Sequence, residues 1–303
     1  MHDIIVGGSL HMDIVVHAPR LPALDETLPG DRWEQRHGGK GRNQAVIASR
    51  FETSTGIIGA VGNDDFGRSL CFQLEQVGVD INALQTDSVA ATGMSSAIID
   101  GSGDYGAVIV PGATNSNREN DMAARWASLG GSRLLLLQSE WPLACNLALA
   151  KAAKNDGATV IWNAAPFRKG EAEALLPLCN VLVINRVEAA ALAGLDMFDA
   201  AAALDTLRRD GLIVVITCGA DGVHWVSDQG EDHMAGMPVQ VADTHGAGDC
   251  FVGVLACELA RGAGLVEALR CANQAAGAWV SLGQSRRHLL NREYLPERLT
   301  NEA

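Results

Sequence analysis

The sequence has no C-x-x-C pair, no H-x-x-x-H pair and no apolar run approaching ~18 residues. Those absences exclude a zinc ribbon, a disulfide framework and a membrane-spanning helix as organising features. The seven cysteines are odd in number and irregularly spaced, so they read as reduced and mostly buried thiols. Basic residues are scarce. Lys and Arg number 23 against 36 Asp and Glu, a formal charge of −13, and no basic stripe interrupts that excess. A polyanionic partner such as nucleic acid is therefore not expected. The opening MHDIIVGGSL has no basic segment leading into a long apolar one, so no signal peptide is expected and the cytoplasm is the expected location. A Walker A loop is missing too, because Gly39 and Lys40 are followed by Gly41 and not by Ser or Thr.

What is present is the composition of a folded protein: hydrophobic residues are 48% and charged residues 19%, which argues against disorder. Short apolar runs at 4–8, 54–62, 133–138, 158–162, 180–184 and 212–219 read as strands. Helical patterns fill 41–50, 67–76, 118–129, 142–155, 187–193, 200–209, 246–261 and 265–282. Runs that are apolar throughout suit a sheet covered on both faces. The alternation predicts an α/β fold, a doubly wound and mostly parallel sheet with helices on both faces. Residues 10–37 and 90–112 break the rhythm with Pro, Gly and alternating segments, and read as strands inserted in one domain spanning 1–303 to form a small β-sheet lid. Trp141, Trp162 and Trp279 have apolar neighbours and are expected in the core.

Two motifs fail on inspection. Residues 101–108 fit G-x-G-x-x-G-x-V, and Asp65, Phe66 and Gly67 spell the DFG of protein kinases. The order is reversed, and neither V-A-I-K nor H-R-D-x-x-x-x-N exists. A dinucleotide fingerprint fails as well, since a strand pattern and Pro111 follow the glycines where a helix should begin. A glycine-rich hairpin turn accounts for 101–106.

Two segments carry chemistry. In the first, Asp243, Thr244, His245, Gly246, Ala247, Gly248 and Asp249 open an apolar helix. Glycines let a ligand approach the backbone, first-turn amides lack helical partners, and an acid there can take a hydroxyl proton. In the second, Gly38, Gly39, Lys40, Gly41, Arg42, Asn43 and Gln44 also lead into a helix, with an amide able to meet sugar hydroxyls. Each alone admits a bland reading, a stabilising N-terminal acid and a flexible turn.

Together these segments resemble the two signatures of the PfkB carbohydrate kinases, the ribokinase family, and G-G-K-G-x-N-Q is nearest the ribokinase branch. Further landmarks follow in order: Gly8 and Ser9 with Asp13, GNDDFG at 62–67, Thr92 with Gly93, PGATN at 111–115, Gln138 with Glu140, Asn163, Asn185 with Glu188, Thr217 to the glycines at 219 and 222, and Asn273. The resemblance implies a ribokinase-like fold and an ATP-dependent kinase for a hydroxyl of ribose or a similar sugar. Nucleosides and ketose or keto-deoxy sugars are the alternatives, and a sugar-binding regulator without turnover is a distant one. It implies Asp249 as base, amides of Gly246, Ala247 and Gly248 as anion hole, and His11, Asp13, Gly39, Lys40, Asn43 and Glu140 around the sugar. ATP would meet Asn185, Thr217, Gly219, Gly222, Gly248 and Asn273. Asn185 and Glu188 would organise Mg²⁺, while Asp243 and Ser285 would hold a monovalent cation, K⁺. A homodimer through the lid is the expected assembly. The chain departs from the ribokinase pattern at His11, Arg42 and His245, and Arg42 adds a fixed cation able to meet a carboxylate, phosphate or sulfonate.

Overall fold

A computed structural model describes residues 1–101 and 105–295. The chain runs β1 (His2–Gly7), β2 (His11–His17), β3 (Arg32–Gly38), α1 (Lys40–Arg50), β4 (Thr55–Gly62), α2 (Asp65–Gln76), β5 (Leu84–Asp87), β6 (Gly93–Ile99) and β7 (Tyr105–Val110). Then come α3 (Met122–Ser128), β8 (Ser132–Gln138), α4 (Leu143–Asn155), β9 (Thr159–Asn163), α5 (Glu171–Leu175), β10 (Val181–Asn185), α6 (Arg186–Ala193) and α7 (Ala200–Leu207). β11 (Ile213–Thr217), β12 (Val223–Ser227), β13 (Gly230–Met234), α8 (Ala247–Ala260) and α9 (Leu265–Ser281) complete the order.

Nine strands form one sheet in the order β13-β12-β11-β10-β9-β8-β1-β4-β5, parallel except for the last two strands in sequence. Successive residues of a strand face opposite sides, so an apolar run feeds two cores at once. Ile4 and Val6 join one cluster and Ile5 the other; Leu134 and Leu136 divide from Leu135 and Leu137 in the same way. Helices α1, α8 and α9 cover the first face, and α4 and α7 the second. Strand order reverses at β1, which lies between β8 and β4, and ligand crevices form at the carboxyl ends of strands at such a reversal.

The inserted strands form a separate sheet, β3-β2-β6-β7. They are not two independent hairpins, because β2 pairs with β6 in parallel across some eighty positions, His11 opposite Gly93. β6 and β7 pair antiparallel, and the turn expected over 101–106 falls largely on residues 102–104, which lie outside the described residues. GNDDFG is a joint of this architecture. Asp64 caps α2 by accepting from Gly67 N, and the same carboxylate takes the Thr92 hydroxyl at 2.6 Å, tying α2 to the entrance of β6. The helix expected over 118–129 is a short 3-10 turn followed by α3. The short strand β5 and the hairpin β12–β13 were not anticipated. All seven cysteines are free thiols. No helix among the described residues is long and apolar enough to cross a membrane.

Candidate active site

Glycines bring the site together. Gly253 on α8 packs against Ile47 and the Gln44 carbonyl, where a Cβ would come within 2.7 Å of Ile47, so α8 and α1 lie close. That approach sets Asp249, in the first turn of α8 and 7% exposed, against the first turn of α1. Asn43 Nδ2 donates to Asp249 Oδ2 at 2.9 Å and Gln44 Nε2 to Oδ1 at 3.0 Å. Gln44 is itself fixed: Nε2 also reaches Asn163 Oδ1 at 3.1 Å, and Oε1 accepts from Gln138 Nε2 at 2.7 Å. A buried polar chain thus runs from Asp249 to the ends of β8 and β9.

Glu140 lies just past β8 and accepts from Lys40 N at 2.8 Å and Ser9 Oγ at 2.5 Å. Gly39 holds φ +95, and a Cβ there would meet the Ser9 carbonyl at 2.6 Å, so only glycine lets the chain turn into α1 beside β1. Lys40 faces three acids. Asp249 above all, against the opposing effect of burial, with Glu140 and Glu188, keeps its pKa above the usual lysine value. Asp13 comes from β2 in the small sheet, where it pairs with His11 at 3.1 Å and accepts from Ser95. Burial alone would raise the Asp13 pKa, but those bonds and the His11 and His245 charges hold it low. Burial would likewise depress His11, yet Asp13, followed by Glu140 and Asp249, lifts it. The six residues expected around the sugar therefore lie near one another and near Asp249.

The anion hole differs from the expectation in one donor. Ala247 N is occupied by the Thr244 carbonyl at 3.2 Å. Among the described residues, the backbone N–H groups of Gly246 and Gly248 have no backbone acceptor, and Asp249 N joins them. Gly248 is exposed with open space where a Cβ would lie.

Of the residues expected at ATP, two lie at the carboxyl ends of neighbouring strands. Asn185 and Thr217 are register partners on β10 and β11. Gly222 holds φ +91 and could not carry a Cβ, which would lie 1.9 Å from the Met234 carbonyl. Gly219, with φ +62, is exposed in the same turn. Asn273 on α9 donates to the Ala235 carbonyl at 2.8 Å, and Gly236 beside it packs on the Ala220 carbonyl, so the loop after β13 links Asn273 to that turn.

Asn185 and Glu188 form a capping box at the start of α6, with Glu188 N donating to Asn185 Oδ1 at 2.9 Å and Asn185 N to Glu188 Oε2 at 2.8 Å. Burial raises the Glu188 pKa, and Lys40 opposes that shift. Its second carboxylate oxygen makes no hydrogen bond among the described residues. A single shielded acid with one free oxygen fits a hydrated Mg²⁺, which binds through few protein ligands. The monovalent cation does not fit. The Arg287 guanidinium, 6% exposed, donates to the Asp243 carbonyl at 2.6 Å, pairs with its carboxylate at 3.1 Å, and stacks on Trp279 at 4.8 Å. Asp243 already has its cation, and Ser285 is exposed on a 3-10 turn.

Trp141 and Trp162 lie in the core as expected. Trp279 packs against the edge of the core: it is partly buried, donates to the His245 carbonyl at 2.8 Å, and lines a cavity of about 280 Å³ shared with Asp13, Asn43 and Asp249. Gln44, Ser9, Ser95 and Arg287 have roles that sequence reasoning did not assign, although Gln44 stood within the quoted motif.

Comparison with known proteins decides the family. The model of the pfkB family of carbohydrate kinases matches residues 1–289. The chain belongs to that family. It is therefore a carbohydrate kinase, transferring a phosphoryl group to an alcohol. Relatives include the ribokinase of Haemophilus influenzae, 33% identical over 90% of each chain, and that of Mus musculus, 33% identical over 85% of this chain and 81% of the other. Among solved structures, Thermotoga maritima ribokinase matches with TM-score 0.88 at 28% identity over the full length of both chains. Arabidopsis thaliana ribokinase, solved with ribose and ATP, matches with TM-score 0.87 at 26% identity over 99% of each. The pfkB signatures quoted from the sequence coincide with the assembled site, and the nine-stranded sheet with its small second sheet is the ribokinase fold.

Proposed function

We propose that this pfkB kinase moves the γ-phosphoryl group of ATP to a hydroxyl of ribose or a ribose-like sugar, with Asp249 as general base. The supporting observation is the double amide clamp on Asp249 beside unpaired N–H groups at the start of α8. Asn43 and Gln44 can only donate through those nitrogens, so both carboxylate oxygens are held as acceptors in line for a hydroxyl proton. Sugar hydroxyls bridge Asp13, Asn43, Gly39 and Glu140, which orients one of them toward Asp249. As phosphorus–oxygen bonding shifts from ADP to the sugar, Asp249 takes the hydroxyl proton. The amides of Gly246 and Gly248, and the Lys40 ammonium, offset the charge on the transferring group.

Nucleotide binds along Thr217, Gly219, Gly222 and Asn273, and Mg²⁺ accompanying ATP is met by Glu188. That ion supplies charge neutralisation on the phosphates. No monovalent cation is assigned, because Arg287 takes its place at Asp243. The small sheet closes as a lid that excludes water. Trp33, Val108 and Val110, exposed at 64%, 68% and 50% on one side of that sheet, offer it a face for a second copy.

ADP release from Mg-ATP is measured with pentoses, ketohexoses, keto-deoxy acids and nucleosides, for wild type and Asp249→Asn. Turnover on one sugar class, reduced roughly 10³-fold by the substitution, is expected. Saturable ATP binding without turnover on any of them would instead favour a sugar-binding regulator.

A further inference from the structure

The cavity beside Asp249 is cationic in a chain whose net charge is −13. Arg42 and Arg50 line it from one helix, α1. Arg42 donates only to neutral acceptors: Gln73 Oε1 at 3.1 Å, the His37 carbonyl at 3.2 Å and Asn43 Oδ1 at 3.0 Å. Arg50 donates to the Arg287 carbonyl at 3.3 Å. Neither forms an ion pair among the described residues. Burial, then the Arg50 charge, lowers the Arg42 pKa to about 10 against the pull of Asp13 and Asp249, so it stays ionised at neutral pH. Arg36 and Arg287 share the lining but are committed to Glu34 and Asp243.

A desolvated guanidinium with only neutral acceptors is costly unless an anion completes it. The nucleotide phosphates are not the best match for that anion. Of the groups assigned to them only Gly246 reaches this lining, and Asn185, Thr217, Gly219, Gly222 and Asn273 are all absent from it, whereas Asp13, Asn43 and Asp249 are in it. The unpaired cations therefore share the space of the acceptor sugar.

We propose that the acceptor carries an anionic group, a carboxylate or a phosphate, that binds Arg42 and Arg50 while its hydroxyl meets Asp249. This deepens the kinase reading above and rests on it. The side-chain fork of arginine matches either group in two-point fashion, and His37, whose pKa is lowered first by burial and then by Arg42, lines the same cavity.

The test compares matched acceptors: ribose and fructose, the corresponding sugar acids, and the corresponding monophosphates with one free hydroxyl at the reacting end. Expected is a kcat/KM at least about 100-fold higher for one anionic series than for its neutral parent. Arg50→Gln should raise KM for that series roughly 10- to 100-fold while kcat on the neutral parent is kept, and Arg42→Met, which also frees Asn43 Oδ1, should raise KM for that series well beyond its effect on the neutral parent. Raising the salt concentration should weaken anionic acceptors selectively. Carboxylate and phosphate arms identify the group. Binding of each series to Asp249→Asn, followed by calorimetry, reads the subsite without chemistry. Equal or better kcat/KM for neutral sugars, with both arginine variants unchanged, overturns the anionic subsite and leaves the kinase reading standing. Anionic sugars that bind Asp249→Asn through Arg42, with no wild-type turnover, uphold the subsite and overturn the kinase reading.

Discussion

Arg287 grips Asp243 at two points, the backbone carbonyl at 2.6 Å and the carboxylate at 3.1 Å, while its face rests on Trp279. Asp243 precedes the glycines that open α8, so this grip holds the loop from which Gly246 and Asp249 depart.

The first prediction follows from that internal cation. ADP release should be the same in sodium and potassium salts, and neither K⁺ nor Cs⁺ should shift the melting temperature. Arg287→Ala should lose about 1 kcal/mol of stability, the cost of leaving the half-buried Asp243 without its partner, and should become responsive to K⁺. Potassium activation of the wild type would sink this reading.

Gln44 carries a second prediction. Gln44→Leu leaves Asp249, Asn163 and Gln138 each short of a partner in a buried place. Urea unfolding should show a loss of about 2–4 kcal/mol, since an orphaned buried polar group costs about 1–3. kcat should fall about 10-fold or more while ATP affinity is retained.

A third concerns pH. His11 has its pKa raised in the folded protein, so the fold binds that proton more tightly than the unfolded chain does. The resulting stabilisation is complete below the unfolded value of 6.5 and fades as pH rises through the higher folded one. His11→Asn should therefore cost more stability at pH 5.5 than at pH 9, read by parallel thermal melts. An equal loss at both values would count against the His11–Asp13 pair.

Gly41 supplies the fourth. A Cβ at this position would lie 2.7 Å from Gly8 C and Ser9 N, both backbone atoms that cannot step aside. Gly41→Ala should destabilise by about 1–3 kcal/mol through overpacking and raise KM for the sugar more than for ATP. Unchanged sugar kinetics would show that the β1–α1 contact does not set the pocket.

The sequence made most of the large sheet legible because β1, β4, β8, β9, β10 and β11 are apolar on both faces. β5, LQTD, and β13, GEDHM, escaped notice because edge strands with polar side chains lack that signal. Gly39, Lys40 and Asn43 stood out because glycine–helix junctions are local, whereas His11, Asp13 and Glu140 came only with the family resemblance. Arg287 did not stand out, since its partner lies 44 positions earlier and neither residue stands in an apolar pattern. The cavity face of Trp279 was hidden for the same reason: its apolar neighbours describe α9, and the loop it faces is remote in sequence. Ala247 N looked free because first-turn amides usually are, and the turn from Thr244 consumes it.

Asp13 belongs to the small sheet, whereas Asn43, Glu140 and Asp249 belong to the large sheet and its helices. A sugar touching all four is a strut between two bodies, and its binding free energy is added to their interface by mass action. At a hundred times its dissociation constant it would contribute about 2.7 kcal/mol to holding them together. Amide exchange across His11–His17 and Gly93–Ile99 should then report sugar occupancy as directly as any assay of turnover.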